Sequence, residues 1–144
     1  MVTFRKMEEK DIEEVSRIEE ETFSMPWSPQ SFKEMIQREH VFYIVAEEDG
    51  KILGSCGVIQ ALDEGDITNV VVAKESRGKG IGTAMLLFMM EEGKKRGINA
   101  YTLEVRVSNA EAIHVYEKLG FVSEGIRKNF YDKPKEDANI MWKR

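Results

Sequence analysis

Val70-Val71-Val72-Ala73, then Arg77-Gly78-Lys79-Gly80-Ile81-Gly82-Thr83, then the apolar run Ala84 to Met90 form the stretch that decides the fold. Three successive valines are too apolar to be exposed on both faces of a strand, so a buried strand is predicted over Ile67 to Ala73. The later run predicts a strongly apolar helix from Ile81 to Arg96. Lys94, Lys95 and Arg96 complement the C-terminal end of its dipole, and Gly97 can terminate it. Gly93 inside that helix should cost about 1 kcal/mol against alanine. The glycine loop lies between strand and helix. Glycines let backbone N–H groups approach an anion, and a helix N-terminus adds positive potential. Arg77 and Lys79 add charge. The loop is neither a dinucleotide fingerprint, which needs a third glycine where Thr83 stands, nor a Walker loop, because no Gly-Lys-Ser/Thr follows four spacer residues. It reads either as a phosphate cradle or as a plain glycine-rich turn.

Working outward, Val2 to Lys6 is a short strand, and Ile12, Val15 and Ile18 mark an amphipathic helix over Glu8 to Glu20. Pro26-Trp27-Ser28-Pro29 breaks it, and Phe32, Met35 and Ile36 mark a second helix. Strands Val41 to Ala46 and Lys51 to Ala61 flank a hairpin turn at Asp49-Gly50. After the long helix, Tyr101, Leu103, Val105 and Val107 alternate with Thr102, Glu104 and Arg106, the signature of a half-buried strand. Ser108 and Glu111 predict a capping box for a helix ending at Gly120. Phe121 to Phe130 and Ala138 to Trp142 read as strands. The order β-α-α-β-β-β-α-β-α-β-β predicts one mixed α/β domain over residues 1–144, built around a central sheet.

The chain has 144 residues, 42% hydrophobic and 33% charged, which excludes a disordered chain, a collagen-like repeat and a disulfide scaffold. A net charge of −5 argues against general nucleic-acid binding, which needs Lys and Arg to neutralise phosphates. The charge is uneven: Met1 to Val72 carries 7 basic and 16 acidic residues, Ala73 to Arg144 carries 14 and 10. Two kinds of ligand contact would suit it, one cationic and one anionic; the Glu-rich stretch Glu8 to Glu21 reads equally as solvated helix surface. The single cysteine, Cys56, cannot form an intramolecular disulfide and reads as core packing. With only His40 and His114 besides, no metal site is expected, and His114 reads as a partly exposed helix residue. No secretory signal or membrane span is visible, so the expected compartment is the cytoplasm.

Arg77-Gly78-Lys79-Gly80-Ile81-Gly82 has the form Arg/Gln-x-x-Gly-x-Gly/Ala, and on this motif the chain resembles the GNAT superfamily of N-acetyltransferases. The element order agrees with that fold along the whole chain. The resemblance implies acetyl-CoA as cosubstrate, with no metal. It implies that Arg77 to Gly82 together with Thr83 holds the pyrophosphate, that Val70, Val71 and Val72 lie along the pantetheine, and that Asn109 hydrogen-bonds coenzyme A. One backbone N–H of the valine strand would polarise the thioester carbonyl. By itself Asn109 reads as a secondary helix cap beside Ser108, and the valines as core.

Leu103-Glu104-Val105-Arg106-Val107-Ser108-Asn109, Ala112-Ile113, Tyr116 to Phe121, Pro26-Trp27-Ser28, Arg127-x-x-x-Tyr131 and Glu136-Asp137-Ala138 with Met141 resemble the RimI-type branch. That branch acetylates the N-terminal alanine of a small-subunit ribosomal protein. It usually has paired tyrosines where this chain has Phe130-Tyr131.

Amide formation from a thioester needs a neutral amine, a polarised carbonyl and a stabilised leaving thiolate. An α-amine is already roughly 10–15% neutral at pH 7, so a modest base suffices. The resemblance assigns Glu104 as that base and Tyr116 as proton donor to the thiolate, with Trp27 and Tyr131 on the acceptor side. From the residues alone, Glu104 could equally be a wet-face carboxylate paired with Arg106, and Tyr116 a helix–sheet contact. Trp27 either caps a peptide groove or packs under its loop. Two other functions fit the same motifs: acetyl transfer to a small amine or a lysine side chain, and a non-catalytic acyl-CoA-binding module that regulates a partner.

Overall fold

The computed structural model describes residues 1–144 and contains β1 (Thr3–Lys6), α1 (Ile12–Thr22), α2 (Pro29–Met35), β2 (Val41–Glu48), β3 (Lys51–Ala61), β4 (Glu64–Val72), α3 (Ile81–Lys95), β5 (Ala100–Arg106), α4 (Ala110–Lys118), β6 (Val122–Asp132) and β7 (Lys135–Lys143). The order of strands and α-helices matches the sequence reading. Short 3₁₀ turns precede α1 and follow β4. The strands form one sheet in the order β1-β2-β3-β4-β5-β7-β6, antiparallel except for the β4–β5 pair. Strand ends differ from expectation by up to three residues, because hairpin pairing extends β2, β4 and β7 past their apolar cores.

Helices cover both faces. Ile81, Met85, Leu86 and Met89 of α3 and Tyr116 of α4 pack against Phe42, Ile44 and Leu103. Ile12, Val15 and Ile18 of α1 and Phe32 of α2 pack against Val41, Tyr43 and Val45 on the other face. Alternate residues of β2 thus enter opposite layers, and Val41 to Ala46 is buried throughout.

Two local expectations are corrected. Asn109, not Ser108, caps α4: its Oδ1 accepts the Ala112 N–H at 3.2 Å. The Ser108 N–H instead donates to Glu136 Oε2 at 2.8 Å, which holds Ser108 in the preceding loop. Gly93 is more than a tolerated flaw. A Cβ there would lie 1.8 Å from the Tyr101 hydroxyl, so only glycine lets α3 lie this close to β5.

β4 carries a bulge. Gly57 pairs with Thr68 while Ser55 pairs with Val71, so β4 holds one residue more than β3 over this interval. Asn69 takes a φ of +56° there, a conformation Asn tolerates better than most residues. Ile67 and Val71 would share a face in an unbroken strand. Here Ile67 belongs to the α3 layer and Val71 to the α1 layer.

Candidate active site

β4 and β5 pair only over Glu64–Asp66 and Ala100–Thr102. Beyond these residues the ladder between them ends while both strands continue, to Val72 and Arg106. Ligands of α/β sheets bind where neighbouring strands part at their carboxyl ends. The bulge turns Val70 and Val72 toward the α3 layer at this opening, where both pack as partly buried residues. Val71 points the other way and is 3% exposed, so its side chain is core, as the residues alone suggested.

The glycine loop closes one end of the opening. Gly78 and Gly80 both have φ of +77°, and a Cβ on either would meet no atom within 4 Å. Gly80 is the N-cap of α3 and offers no side chain to the first turn, so the leading N–H groups of the helix lack a capping partner. No acidic residue occupies that turn. Gly82 packs close to Val72, with 3.5 Å between its Cβ position and Val72 Cγ2. Lys79 is exposed. Arg77 is pinned: its Nε donates to the Val72 carbonyl at 3.0 Å and its Nη2 to Thr22 Oγ1 at 3.1 Å. These features fit a pyrophosphate: open space over the loop, unpaired N–H donors and a free ammonium.

Glu104 and Tyr116 stand on β5 and α4. Glu104 is half-buried and lies 3.6 Å from Arg127 of β6. The Arg106 pairing is corrected: Arg106 binds Glu136 at 3.2 Å and stacks over Tyr131 at 4.3 Å, because the β5–β7 ladder draws it toward β7. Tyr116 is 8% exposed, with its ring 5.9 Å from that of Phe121. Burial pushes its phenol well above the ordinary value, and Cys56 and Tyr131 add to this. Tyr131 is raised by burial as well; the Arg106 charge opposes that shift, and Glu104 and Glu136 reinforce it. Tyr131 therefore sits within electrostatic reach of both Tyr116 and Glu104. Cys56 is fully buried, its thiol pushed up to about 12, which makes it inert core as expected. His114 is exposed.

Trp27, expected on the acceptor side, packs under its loop, 5.4 Å from the Phe32 ring and 6.3 Å from Tyr43. Its backbone N–H donates to Glu19 Oε1 at 3.0 Å. Asn109 keeps its amide nitrogen free while its oxygen caps α4.

Residues 12–121 match the model of the acetyltransferase (GNAT) family. The chain belongs to the GNAT acetyltransferase family. An Escherichia coli (strain K12) relative named as a ribosomal protein bS18-alanine N-acetyltransferase is 35% identical over 143 residues, covering 98% of this chain and 96% of the relative. A Bacillus subtilis (strain 168) protein that bears the same designation in provisional form is 39% identical over 139 residues, 96% of this chain and 92% of its own length. The crystal structure of the E. coli ribosomal-protein-S18-alanine N-acetyltransferase superposes with a TM-score of 0.91 at 34% identity, covering 99% of this chain and 93% of that one. The chain is an N-acetyltransferase, and acetyl-CoA is the cosubstrate of its family.

Three features of this GNAT enzyme escaped the sequence reading. Asp66 is register partner to Thr102, two residues before Glu104 on the same face. Asp66 is exposed as a residue, but partial desolvation of its carboxyl raises it, and Glu104 raises it further, with Arg127 opposing. Arg127 was seen as part of a motif, but not as the partner of Glu104. The third feature is Glu19, 1% exposed, which breaks the reading of Glu8 to Glu21 as solvated surface. Asp66 and Arg127 reach Glu104 through strand pairing, for which spacing holds no signal. Glu19 follows Ile18 directly on α1, and that position on the apolar stripe was the one available clue.

Proposed function

We propose that this enzyme transfers the acetyl group of acetyl-CoA to the α-amine of an N-terminal alanine of a small-subunit ribosomal protein, in the cytoplasm. The observation that carries the reading is the parted β4–β5 pair, with unpaired helix N–H groups after β4 and the half-buried Glu104 on the continuing β5. The extended similarity to bS18-alanine acetyltransferases supports the choice of acceptor.

In this reading the first-turn N–H groups of α3, Gly78, Gly80, Lys79 and Thr83 hold the pyrophosphate. Backbone groups from Val70 to Val72 carry the pantetheine, and one N–H polarises the thioester carbonyl. The Asn109 amide nitrogen donates to coenzyme A. Glu104 takes a proton from the α-ammonium, directly or through water, as Arg127 gives way. The amine nitrogen then attacks the carbonyl carbon, the C–N bond forms and the C–S bond breaks, and the second proton lost by the nitrogen passes through water to the departing sulfur, which leaves as the free thiol of coenzyme A. Tyr116 meets the developing thiolate as a protonated donor. Because its buried phenol is much less acidic than a thiol near 8.5, a hydrogen bond from it stabilises the thiolate without complete transfer. No covalent acetyl-enzyme is needed; transfer is direct in a ternary complex. Trp27 and Tyr131 shape the acceptor side, and Phe130, 44% exposed, offers a ring in place of a second phenol.

The test is mass spectrometry with acetyl-CoA and two peptides: one with a free N-terminal alanine, and the same peptide blocked there but carrying an internal lysine. Acetylation of the free α-amine alone is expected. Lysine acetylation, or binding of acetyl-CoA with no reaction on either peptide, overturns the reading.

A further inference from the structure

Glu19 is a buried carboxylate with no cation within ion-pair distance. It lies in the last turn of α1, where the helix dipole disfavours an anion, and burial raises its carboxyl. Such a group is costly unless its oxygens are hydrogen-bonded. Both are. Oε1 accepts the Trp27 backbone N–H at 3.0 Å, and Oε2 accepts an N–H from Asn69 Nδ2 at 2.9 Å. The Asn69 amide oxygen in turn accepts from the Tyr43 hydroxyl at 3.0 Å and Thr68 Oγ1 at 2.8 Å, which fixes the orientation of that amide. Tyr43 also packs against Trp27.

In the transfer reading, the two ends of this bridge belong to different halves of the site. Trp27 lies in the loop between α1 and α2, on the acceptor side. Asn69 is the bulge residue that turns Val70 and Val72 toward the opening, on the donor side. We propose that Glu19 is a positioning residue that locks the acceptor loop and the β4 bulge in one register, so that amine and thioester meet in line. This rests on the transfer reading above. An apolar residue here would fill the core equally well but could hold neither N–H group.

The test is a donor–acceptor swap in the full chain. In Glu19→Gln the new amide can still accept from Trp27, but its nitrogen faces the Asn69 nitrogen. In Asn69→Asp two carboxylates face each other. The double substitution restores the bond with donor and acceptor exchanged. Each single variant is expected to lower kcat for the N-terminal alanine peptide by about 10- to 100-fold, the usual cost of misplacing reacting groups. Acetyl-CoA affinity, measured by calorimetry, should be unchanged, and the double variant should regain most of the rate. Single variants with wild-type kcat per folded molecule, or a double variant no faster than the singles, overturn the proposal. A second readout needs no acceptor. In a Trp142→Phe background, where Trp27 is the only indole, acetyl-CoA should shift its emission, and Glu19→Gln should abolish the shift without loss of binding. If the unmodified enzyme acetylates neither peptide, the reading of the acceptor fails and this fluorescence result alone decides the role of Glu19. A shift retained in Glu19→Gln, or absent from the Trp142→Phe parent, overturns it.

Discussion

Replacing Gly93 by alanine sets two magnitudes against each other. Alanine in a helix interior is favoured over glycine by about 1 kcal/mol. The added Cβ, however, would stand 1.8 Å from the Tyr101 hydroxyl and 3.0 Å from its ring carbon Cζ. Tyr101 is 5% exposed and is the second residue of β5, so it has little room to withdraw. Its hydroxyl also donates, at 3.4 Å, to the Met90 carbonyl. Overpacking of this kind costs about 1–3 kcal/mol, and a buried hydroxyl forced off its acceptor costs about 1–3 kcal/mol more. The net expectation for Gly93→Ala is a loss of about 1–5 kcal/mol, which lowers Tm by roughly 3–20 °C in a chain of this size. Urea titration followed by circular dichroism gives the free energy, and a thermal scan gives Tm. Tyr101→Phe on the same background should recover part of the loss, because the hydroxyl is gone while the ring remains close. A Gly93→Ala protein as stable as the parent refutes the reasoning, since helix propensity would then outweigh the contact.

Glu104→Gln should lower turnover of the alanine peptide by about 10- to 100-fold, most severely at low pH, where the α-ammonium is most fully protonated; a flat ratio across the pH–rate profile counts against a base at this position. Tyr116→Phe should slow transfer with acetyl-CoA affinity retained, as read by single-turnover rates and calorimetry; loss of binding instead would make it a packing residue. Asp66→Asn bears on stability. Its carboxyl is raised in the folded state by partial desolvation and by Glu104, so the native protein holds that proton more tightly than the unfolded chain. The associated stability is complete below the unfolded value near 3.9 and is lost as pH rises through the raised folded value. Asp66→Asn should therefore be more stable than the parent at pH 7 by urea titration, with the difference vanishing below about pH 4; a destabilised variant at pH 7 opposes this.

The sequence was most informative where one element carries its own signal. Spacing of Ile12, Val15 and Ile18, alternation from Tyr101 to Val105, and the glycines after Val72 each report a local backbone preference, so strands, helices and the glycine loop were legible together with their order. Glu104 and Tyr116 were singled out as candidates by motif, and the loop by glycine chemistry. The cap at Asn109 was misassigned to Ser108 because the choice depends on Glu136, 28 residues away, taking the Ser108 N–H. The Arg106 pairing went wrong for the same reason: its partner comes from β7.

By itself the sequence determined the chain of elements, the buried character of the valine strand and the conformational freedom of Gly78 and Gly80. These follow from side-chain period and backbone sterics, which act over a few residues. Only the tertiary structure decided where β4 and β5 part, which way Val70 and Val72 face, and which charges meet Glu104 and Glu19. A bulge of one residue reverses a strand's faces, and ion pairs form across strands far apart in sequence. Neither leaves a periodic trace. The candidate site arises at that level: Asn69 turns the strand, Glu19 ties it to Trp27, and Arg127 reaches Glu104 across the sheet.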